Sequence, residues 1–514
     1  MSQRQTADRR RAIGLLDLPN EILIDICTRL CPHCQIDNIV VAPFRVATTA
    51  RSHQKLLSRL SMCCKRLRDI AQPILFHWFP NLDRQMWPLS FTRPLVFALA
   101  IVQRPDLADC VRALTLYTPF LDPEAQIDEA RFAFMETRFR EVEVVYRKVA
   151  AALGGRLAQR SSRGPPHFVN FQDLVMAISP KLTKLCLQRP FEYLHLEWSY
   201  NLPNLTYLAF PGASQQPFIH NNDDRAYHLY QARGLLRHCP NLQTIIAPDC
   251  VGDWQYVYWE WYRHQPWDVP LPSLRKLSTN GLTIHELERI LQCCPMLQDL
   301  EFFDDDSVDP NFNEVLQPER HLIHVAATLK RLSYSTLGLT SSTAGPHVIH
   351  LEEAARFQLA NYSSGSGMSF SSFSALEELE IEQYLLYGPI FPRTLQFNPD
   401  DDHSASLSTP EGFLSRLPSS LRVLRIGFAV YWSTLYRDLL ALAEASVRFP
   451  KLEHVIVEAT HRHLREDHQL LADALRKANV KLTIRSIYYW TGNRGLLPPR
   501  PGCPPHVYRV VFDG

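Results

Sequence analysis

The sequence of 514 residues lacks both a long apolar run and an excess of charge of either sign. Its best apolar run, residues 95–102, falls well short of the roughly 18 residues that a membrane-spanning helix needs. Lys and Arg together number 54 and Asp and Glu 53, so the formal net charge is +1. Because a basic surplus is missing, we expect neither a nucleic-acid partner nor a membrane partner.

A dense cysteine framework is also missing. The 12 cysteines are scattered, and several stand where a buried apolar residue would serve, namely Cys110, Cys186, Cys239 and Cys293. This usage favours reduced thiols over disulfides. Residues 1–14 are polar and basic without the apolar segment of a secretory signal, so we expect a disordered basic tail. We accordingly expect a cytoplasmic or nuclear protein, and Arg9–Arg11 alternatively belong to a nuclear import signal.

Motifs of catalytic sites are missing as well. The sequence has no phosphate-binding glycine-rich loop, no nucleophile elbow, no HExxH and no dinucleotide fingerprint. A hydrolase would need a nucleophile with a partnered base, and no such pair stands out. We therefore predict a protein that is not an enzyme, with no catalytic residues and no cofactor.

One cysteine pair, in Cys31-Pro-His-Cys34, has the two-residue gap of many zinc sites, and Cys27, Cys63 and Cys64 are nearby in sequence. A structural zinc ion needs a second well-placed pair of ligands. Cys63 and Cys64 are adjacent, which strains tetrahedral ligation. Ordinary reduced thiols are the simpler interpretation, and we predict no metal site.

A short phrase recurs nine times along the chain: an apolar residue, two variable residues, an apolar residue, one variable residue and a third apolar residue. The clearest copies begin at Leu182, Leu205, Leu274, Leu297, Leu376, Leu421 and Leu452, and weaker ones at Leu242 and Leu329. Consecutive starts are as close as 23 residues (Leu182 to Leu205), which is near the length of one leucine-rich repeat. Repeats of this kind stack and bury each other's apolar edges.

Helical return segments are expected between the strands. Thr283 and Glu286 form a capping-box pattern, and Leu287, Ile290 and Leu291 follow at helical spacing. The fold class is therefore predicted as α/β, a small helical N-terminal domain followed by an irregular leucine-rich-repeat solenoid with insertions. The alternative is an ordinary α/β domain with leucine-rich strands.

In each predicted strand, the residue between two buried apolar positions faces outward and is a candidate for binding a protein substrate. These candidates are Lys184, Tyr207, Lys276, Asp299, Glu301, Arg331, Glu378, Glu380, Arg425 and His454, with Cys186, Glu382 and Glu458 beside them. Both signs of charge occur among them. Such a mixed surface suits an unknown protein partner better than a polyanion.

The chain is predicted to divide into a basic tail (1–14), a helical domain (15–80), the repeat array (81–490) and a proline-rich C-terminal tail (491–514). Insertions at 119–166, 361–374 and 398–410 are expected to be flexible in part, because they contain charged, Ser/Gly-rich or Asp-rich runs. An aromatic cluster from Trp254 to Trp267 is either an anchor for a partner or the packing of one insertion against the array.

The helical domain begins with Leu18-Pro19-Asn20-Glu21-Ile22, in which Pro lies in the first turn of a helix. Ile22, Ile26 and Leu30 share one face of that helix. A later apolar stripe consists of Leu57, Leu60, Cys64, Leu67 and Ile70. So small a bundle exposes apolar surface, and a partner helix is a natural cover for it.

These residues resemble the F-box, whose pattern has a Leu-Pro-x-Glu opening, a Cys-(Lys/Arg)-x-(Leu/Phe) centre and a Trp near its end. The corresponding residues here are Leu18-Pro19-Asn20-Glu21, Cys64-Lys65-Arg66-Leu67 and Trp78. The likeness covers about 60 of 514 residues, and residues 31–55 are longer than the loop usual in the family. An F-box followed by leucine-rich repeats is similar to the F-box/leucine-rich-repeat substrate receptors.

The resemblance implies a Skp-family adaptor as partner and, through it, a cullin–RING ubiquitin ligase. It assigns the adaptor interface to Leu18, Pro19, Glu21, Ile22, Ile26, Leu60, Cys64 and Leu67. Leu60 and Leu67 alternatively hold the helical bundle together. Two other roles stay open: a scaffold that binds the adaptor without ubiquitin transfer, and a plain repeat protein that mediates interactions.

Overall fold

The computed structural model describes residues 14–35, 43–80, 92–117, 144, 179–188, 201–210, 229–247, 267–280, 282–303, 316–335, 367–387, 409–429, 432–460, 468–487 and 510–513. The chain divides into two units, residues 1–187 and 188–514. The predicted basic tail up to residue 13, most of the insertions at 119–166 and 398–410, and the aromatic cluster up to residue 266 lie outside the described residues.

The first unit begins with helices. A 3₁₀ turn, Leu15–Asp17, precedes α1 (Asn20–Arg29), α2 (Pro32–Gln35), α3 (Pro43–Cys63) and α4 (Lys65–Leu75). The predicted apolar stripe that runs through Cys64 is divided between two helices. Cys64 has extended backbone angles (φ −159°, ψ 167°), so α3 ends before it and α4 begins after it.

Three strands follow in the first unit: β1 (Trp78–Pro80), β2 (Ala113–Tyr117) and β3 (Lys184–Gln188). Between β1 and β2 lie α5 (Thr92–Gln103) and α6 (Pro105–Ala108). β1 and β2 are parallel, with Trp78 opposite Ala113. The sheet order is β1-β2-β3, and the amides of Thr183 and Lys184 both donate to the carbonyl of Arg112 at the start of β2.

The described residues of the second unit form ten strands whose order in the sheet is their order in the chain. They are β4 (Tyr207–Ala209), β5 (Thr244–Ala247), β6 (Lys276–Asn280), β7 (Asp299–Phe303), β8 (Arg331–Ser335), β9 (Glu378–Glu382), β10 (Val423–Ala429), β11 (His454–Thr460), β12 (Lys481–Ile487) and β13 (Val510–Asp513). β4 to β12 are parallel to their neighbours, and β13 is antiparallel to β12. The protein is thus a mixed α/β fold with a parallel sheet.

The recurring sequence phrase explains this register. Its second apolar residues lie opposite one another in one row, which contains Ile245, Leu277, Leu300, Leu332, Leu379, Leu424, Val455 and Leu482. Every member of that row is buried. Since side chains alternate along a strand, the third apolar residues form a second buried row two residues later. A slip of one residue would turn both rows away from the core, so burial fixes the register.

Each phrase also begins with the same backbone arrangement. The amide of the first leucine closes a turn onto the residue three positions earlier, as Leu274 does onto Leu271 and Leu297 onto Cys294, except that Leu329 donates to Val325, four positions earlier. Two consecutive amides then share one carbonyl of the preceding strand segment. Gln298 and Asp299, for example, both donate to Arg275 at 2.8 Å. The same pair of bonds recurs from β5 to β11, so the successive strand segments are locally equivalent.

Short helices connect many of the strands in the second unit. They are α7 (Arg233–Leu236), α8 (Ile284–Gln292), α9 (Pro318–His321), α10 (Gln383–Tyr387), α11 (Pro410–Ser415), α12 (Trp432–Glu444) and α13 (His468–Lys477). The predicted capping box of α8 is confirmed, since the Thr283 hydroxyl accepts from the Glu286 amide and the Glu286 carboxylate accepts from the Thr283 amide. Leu287, Ile290 and Leu291 are buried, as the spacing predicts.

Parts of two segments predicted to be irregular are ordered. Phe370 and Phe373, inside the predicted insertion at 361–374, are fully buried. Residues Val510–Asp513 of the predicted proline-rich tail form β13. Among the helices of the described residues, none is long and apolar enough to cross a membrane.

Candidate protein-interaction surfaces

Helix α1 has a buried face and an exposed apolar face. Leu23 and Cys27 are buried, whereas Ile22 and Ile24 are each 47 % exposed. The core of the helical bundle consists of Cys27, Cys31, Leu57, Ala71 and Ile74. Of the predicted face of Ile22, Ile26 and Leu30, Ile22 is exposed and Ile26 partly exposed, whereas Leu30 packs against this core.

The residues assigned to an adaptor interface by resemblance fall into two groups. Pro19, Glu21 and Ile22 are exposed, and Leu18, Ile26 and Cys64 are partly exposed. Leu60 is partly buried and packs against the bundle core, while Leu67 is only 4 % exposed. Leu67 is a core residue in this structure, which agrees with its alternative role of holding the bundle together.

Arg66 joins the start of the chain to α4. Its guanidinium group donates to the carbonyl of Leu16 at 2.5 Å, to the carbonyl of Leu18 at 2.6 Å and to the Asn20 side chain at 2.9 Å. The two halves of the F-box-like pattern, 46 to 50 residues apart, thus meet through one side chain. Sequence reasoning included Arg66 in the motif but did not assign it this role.

An Arg66→Ala variant is expected to free residues 16–20 from α4. Hydrogen bonds from a charged donor contribute about 1.5–3 kcal/mol each when buried, and these are exposed, so we expect a loss of about 1–2 kcal/mol in total. Backbone amides in this segment should exchange hydrogen roughly 10-fold faster, measured by mass spectrometry. Arg59→Ala, at an exposed arginine of α3, is the control. Equal exchange rates in wild type and Arg66→Ala would contradict the role of Arg66.

On the sheet of the second unit, the first residues of the strands form a row of alternating charge. The Lys276 ammonium lies 2.7 Å from the Asp299 carboxylate, and Arg331 lies 3.9 Å from Asp299 and 3.8 Å from Glu378. Arg422, just before β10, continues the row with contacts of 3.5 Å to both Glu378 and Glu453. We call this the charge row. Four of the predicted substrate-binding residues are thus brought together, and they neutralise one another.

Two further ion pairs lie along the strands, one two residues and the other four residues beyond the first strand residues. Arg425 contacts Glu380 at 3.3 Å, and Arg485 contacts Glu458 at 3.4 Å. Glu380 is only 7 % exposed. Burial raises the pKa of its carboxyl, while the positive charge of Arg425 acts in the opposite direction. Glu301 is partly exposed.

Several predicted outward positions are not surface positions. Tyr207, Glu380 and Cys186 are buried, and so is Glu382, whose carboxylate accepts a hydrogen bond from Ser335. The prediction that these residues are exposed is therefore wrong. Alternation along a strand determines the direction in which a side chain points, whereas the neighbouring residues determine whether it is buried. His454 is partly exposed and contacts the Thr483 hydroxyl at 2.9 Å, and Lys184 is partly exposed on β3 of the first unit.

Sequence reasoning missed a group of Cys and His side chains in the first unit. Cys31, His33, Cys34 and His77 place one sulfur or nitrogen atom each within 4.8 Å of one another. The Cys34 Sγ lies 3.4 Å from Nδ1 of His77, which is 43 residues away in sequence. Nothing in the sequence marks His77 as a possible metal ligand, whereas the two-residue gap between Cys31 and Cys34 does indicate one.

Burial lowers the pKa of both histidines of this group. Burial, followed by the positive charges of Lys184, His77 and Arg112, lowers the pKa of His33 to about 4. Burial and Arg112 also lower the pKa of His77. Burial raises the pKa of the Cys31 thiol to about 12. Neutral imidazole is the form that binds metal ions.

Comparison with protein-family models gives no match for this chain, and comparison with curated protein sequences gives none either.

Proposed function

We propose that this protein is the substrate-recognition subunit of a Skp–cullin–RING ubiquitin ligase. In this proposal the N-terminal helices act as an F-box that docks on a Skp-family adaptor. The observation that carries it is the junction made by Arg66, which brings the Leu18-Pro19 opening and the Cys64-Lys65-Arg66-Leu67 centre of the F-box-like pattern into contact. The exposed side chain of Ile22 beside this junction offers apolar surface for a partner helix.

The strand segments support the second half of the proposal, a leucine-rich-repeat solenoid that binds the substrate. Parallel strands that pair in chain order, with the same shared carbonyl at the start of each strand from β5 to β11, are what a stack of equivalent repeats requires. Stacked repeats place one residue of each strand in a continuous row. The charge row is such a row, and its two signs suit a protein substrate better than a polyanion.

A binding experiment tests the adaptor half of the proposal. The full chain is immobilised and exposed to a purified Skp-family adaptor, beside a Leu18→Ala/Pro19→Ala double variant. We expect capture by the wild type and loss of at least ~30-fold in affinity in the variant, since hot-spot residues contribute 2 kcal/mol or more. Far-UV circular dichroism should show that the variant remains folded.

Three outcomes distinguish a substrate receptor, a scaffold and a plain repeat protein. Adaptor binding followed by ubiquitin transfer to a captured substrate, in a reaction reconstituted with the cullin–RING components, supports the receptor. Adaptor binding without transfer supports the scaffold. If the folded wild type does not bind the adaptor, the ubiquitin-ligase proposal is withdrawn and a plain repeat protein remains.

A further inference from the structure

The Cys and His side chains between α1 and β1 have the composition and spacing of a metal centre. We infer that Cys31, His33, Cys34 and His77 form a structural zinc site, with two thiolate and two imidazole ligands. All four residues belong to the first unit, and one ligand atom from each lies within 4.8 Å of the others. This inference is independent of the proposed role in ubiquitin transfer.

Two of the six ligand–ligand distances lie close to those of tetrahedral zinc, and all six are within 4.8 Å. Zn–S bonds of about 2.3 Å and Zn–N bonds of about 2.0–2.1 Å place sulfur and nitrogen ligands about 3.5 Å apart in a tetrahedron. The Cys34 Sγ lies 3.4 Å from Nδ1 of His77 and 3.8 Å from Nδ1 of His33. As hydrogen bonds, these two approaches require an imidazole N–H to donate at least one of them, because the thiol has only one proton. A shared ion explains both.

The backbone holds the four ligands in place from two directions. The Cys34 amide donates to the Cys31 carbonyl at 3.0 Å, so the turn of α2 brings both thiols to one side. Cys31 is also part of the bundle core. His77 follows α4, and its carbonyl accepts from the amides of Arg112 and Ala113 at the start of β2. A zinc ion would therefore link the turn between α1 and α2 to the strand pair of β1 and β2.

Adjacent residues such as His33 and Cys34 seldom share a metal, because their side chains leave the backbone in different directions. Here the two ligand atoms are already 3.8 Å apart, within a few tenths of the tetrahedral spacing of about 3.5 Å. The adjacency that argued against Cys63 and Cys64 therefore does not exclude His33. The donor set of two sulfurs and two imidazoles is one that zinc prefers.

A redox role for the Cys31–Cys34 pair is less well supported. A thiol that exchanges disulfides needs an accessible thiolate, and Cys31 is only 2 % exposed. A disulfide between Cys31 and Cys34 would also not account for the two imidazole nitrogens that lie close to the Cys34 sulfur. Zinc with two thiolates is electrically neutral, so the nearby positive charges of Arg112 and Lys184 do not oppose it.

The test measures metal in the full chain. The protein is purified without chelators, equilibrated with zinc and dialysed, and its metal content is determined by mass spectrometry. We expect about one zinc ion per chain. Cys31→Ser and His77→Gln should weaken zinc binding by more than about 100-fold, since loss of outer-shell partners alone weakens it about 10–100-fold. His77→Cys supplies another ligand and should retain zinc, as should Cys63→Ser, which changes an exposed cysteine of the same unit.

Cobalt substitution gives a second, spectroscopic readout. Co²⁺ in place of zinc in the wild type should show the visible ligand-field bands of a tetrahedral ion and a thiolate-to-cobalt charge-transfer band. These signals should persist in His77→Cys and vanish in His77→Gln. The inference is overturned if the wild type holds less than about 0.2 zinc ions per chain, if His77→Gln keeps its zinc, or if Cys31 and Cys34 are joined in a disulfide instead.

Discussion

An Ile22→Asp substitution is expected to weaken binding to a Skp-family adaptor by at least ~30-fold, the effect of losing about 2 kcal/mol at an interface hot spot. Ile22 lies at the start of α1 and is 47 % exposed, so its apolar surface is open to solvent rather than buried in the bundle core. An aspartate in the first turn of a helix is favourable to the helix dipole, and the fold should lose less than about 0.5 kcal/mol. Affinity is measured by isothermal titration calorimetry with the full chain.

The chain offers a matched control for this variant. Ile24 is the same residue type on the same helix with the same exposure of 47 %, but it points about 200° around the helix from Ile22. Ile24→Asp should leave adaptor affinity within about twofold of the wild type. Equal losses in the two variants would mean that the face carrying Ile22 is not the specific contact. If neither variant lost adaptor affinity, α1 would not be part of the adaptor interface.

A Leu300→Ala substitution is expected to lower the free energy of unfolding of the second unit by about 2–5 kcal/mol, as other buried leucines do. Leu300 is fully buried in β7, with Leu277 and Leu332 opposite it on the neighbouring strands. Truncation therefore leaves a cavity within the row of apolar residues. The measurement is urea denaturation followed by fluorescence, with the midpoint and the slope compared with those of the wild type.

Met296→Ala is the control for this experiment, since Met296 lies four residues earlier and is nearly half exposed. Its free energy of unfolding should stay within about 0.5 kcal/mol of the wild-type value. Adaptor affinity should be unchanged in Leu300→Ala below the unfolding transition, because the adaptor contact is assigned to the first unit. A stability loss of the same size in both variants would show that the row of buried apolar residues containing Leu300 is not the core of the sheet.

The strands of the second unit are predictable because their signal is local. Each phrase of three apolar residues specifies one short strand, and burial of the second and third of them fixes the register with the next strand. Thr283 and Glu286 mark the start of α8 in the same way, since a capping box lies within four residues.

Other strands escape the pattern for physical reasons. β12 follows α13 directly, and Asn479 ends that helix in the left-handed conformation (φ 59°) before Val480. The turn and leucine that open the other phrases are therefore replaced by a helix cap. β13 is antiparallel and pairs after a long proline-rich interval, which no local pattern specifies.

The candidate sites depend on contacts between distant residues and were only partly predictable. Glu380 was identified as an outward residue, but its burial and its contact with Arg425 depend on the pairing of β9 with β10. His77 joins the Cys and His group through the packing of α4 against α1. A sequence shows which residues have the right chemistry, whereas the fold alone decides which of them meet.

The charge row has a consequence for how such a sheet can gain or lose strands. Lys276, Asp299, Arg331 and Glu378 alternate in sign from one strand to the next. Deletion of the strand carrying Asp299, with its connection, would bring Lys276 opposite Arg331, and like charges directly opposite each other destabilise a sheet. Deletion of two successive strands would restore opposite signs. In this part of the sheet, strands can therefore be removed in pairs and not singly, so the charges impose a parity on the number of strands that the apolar rows do not.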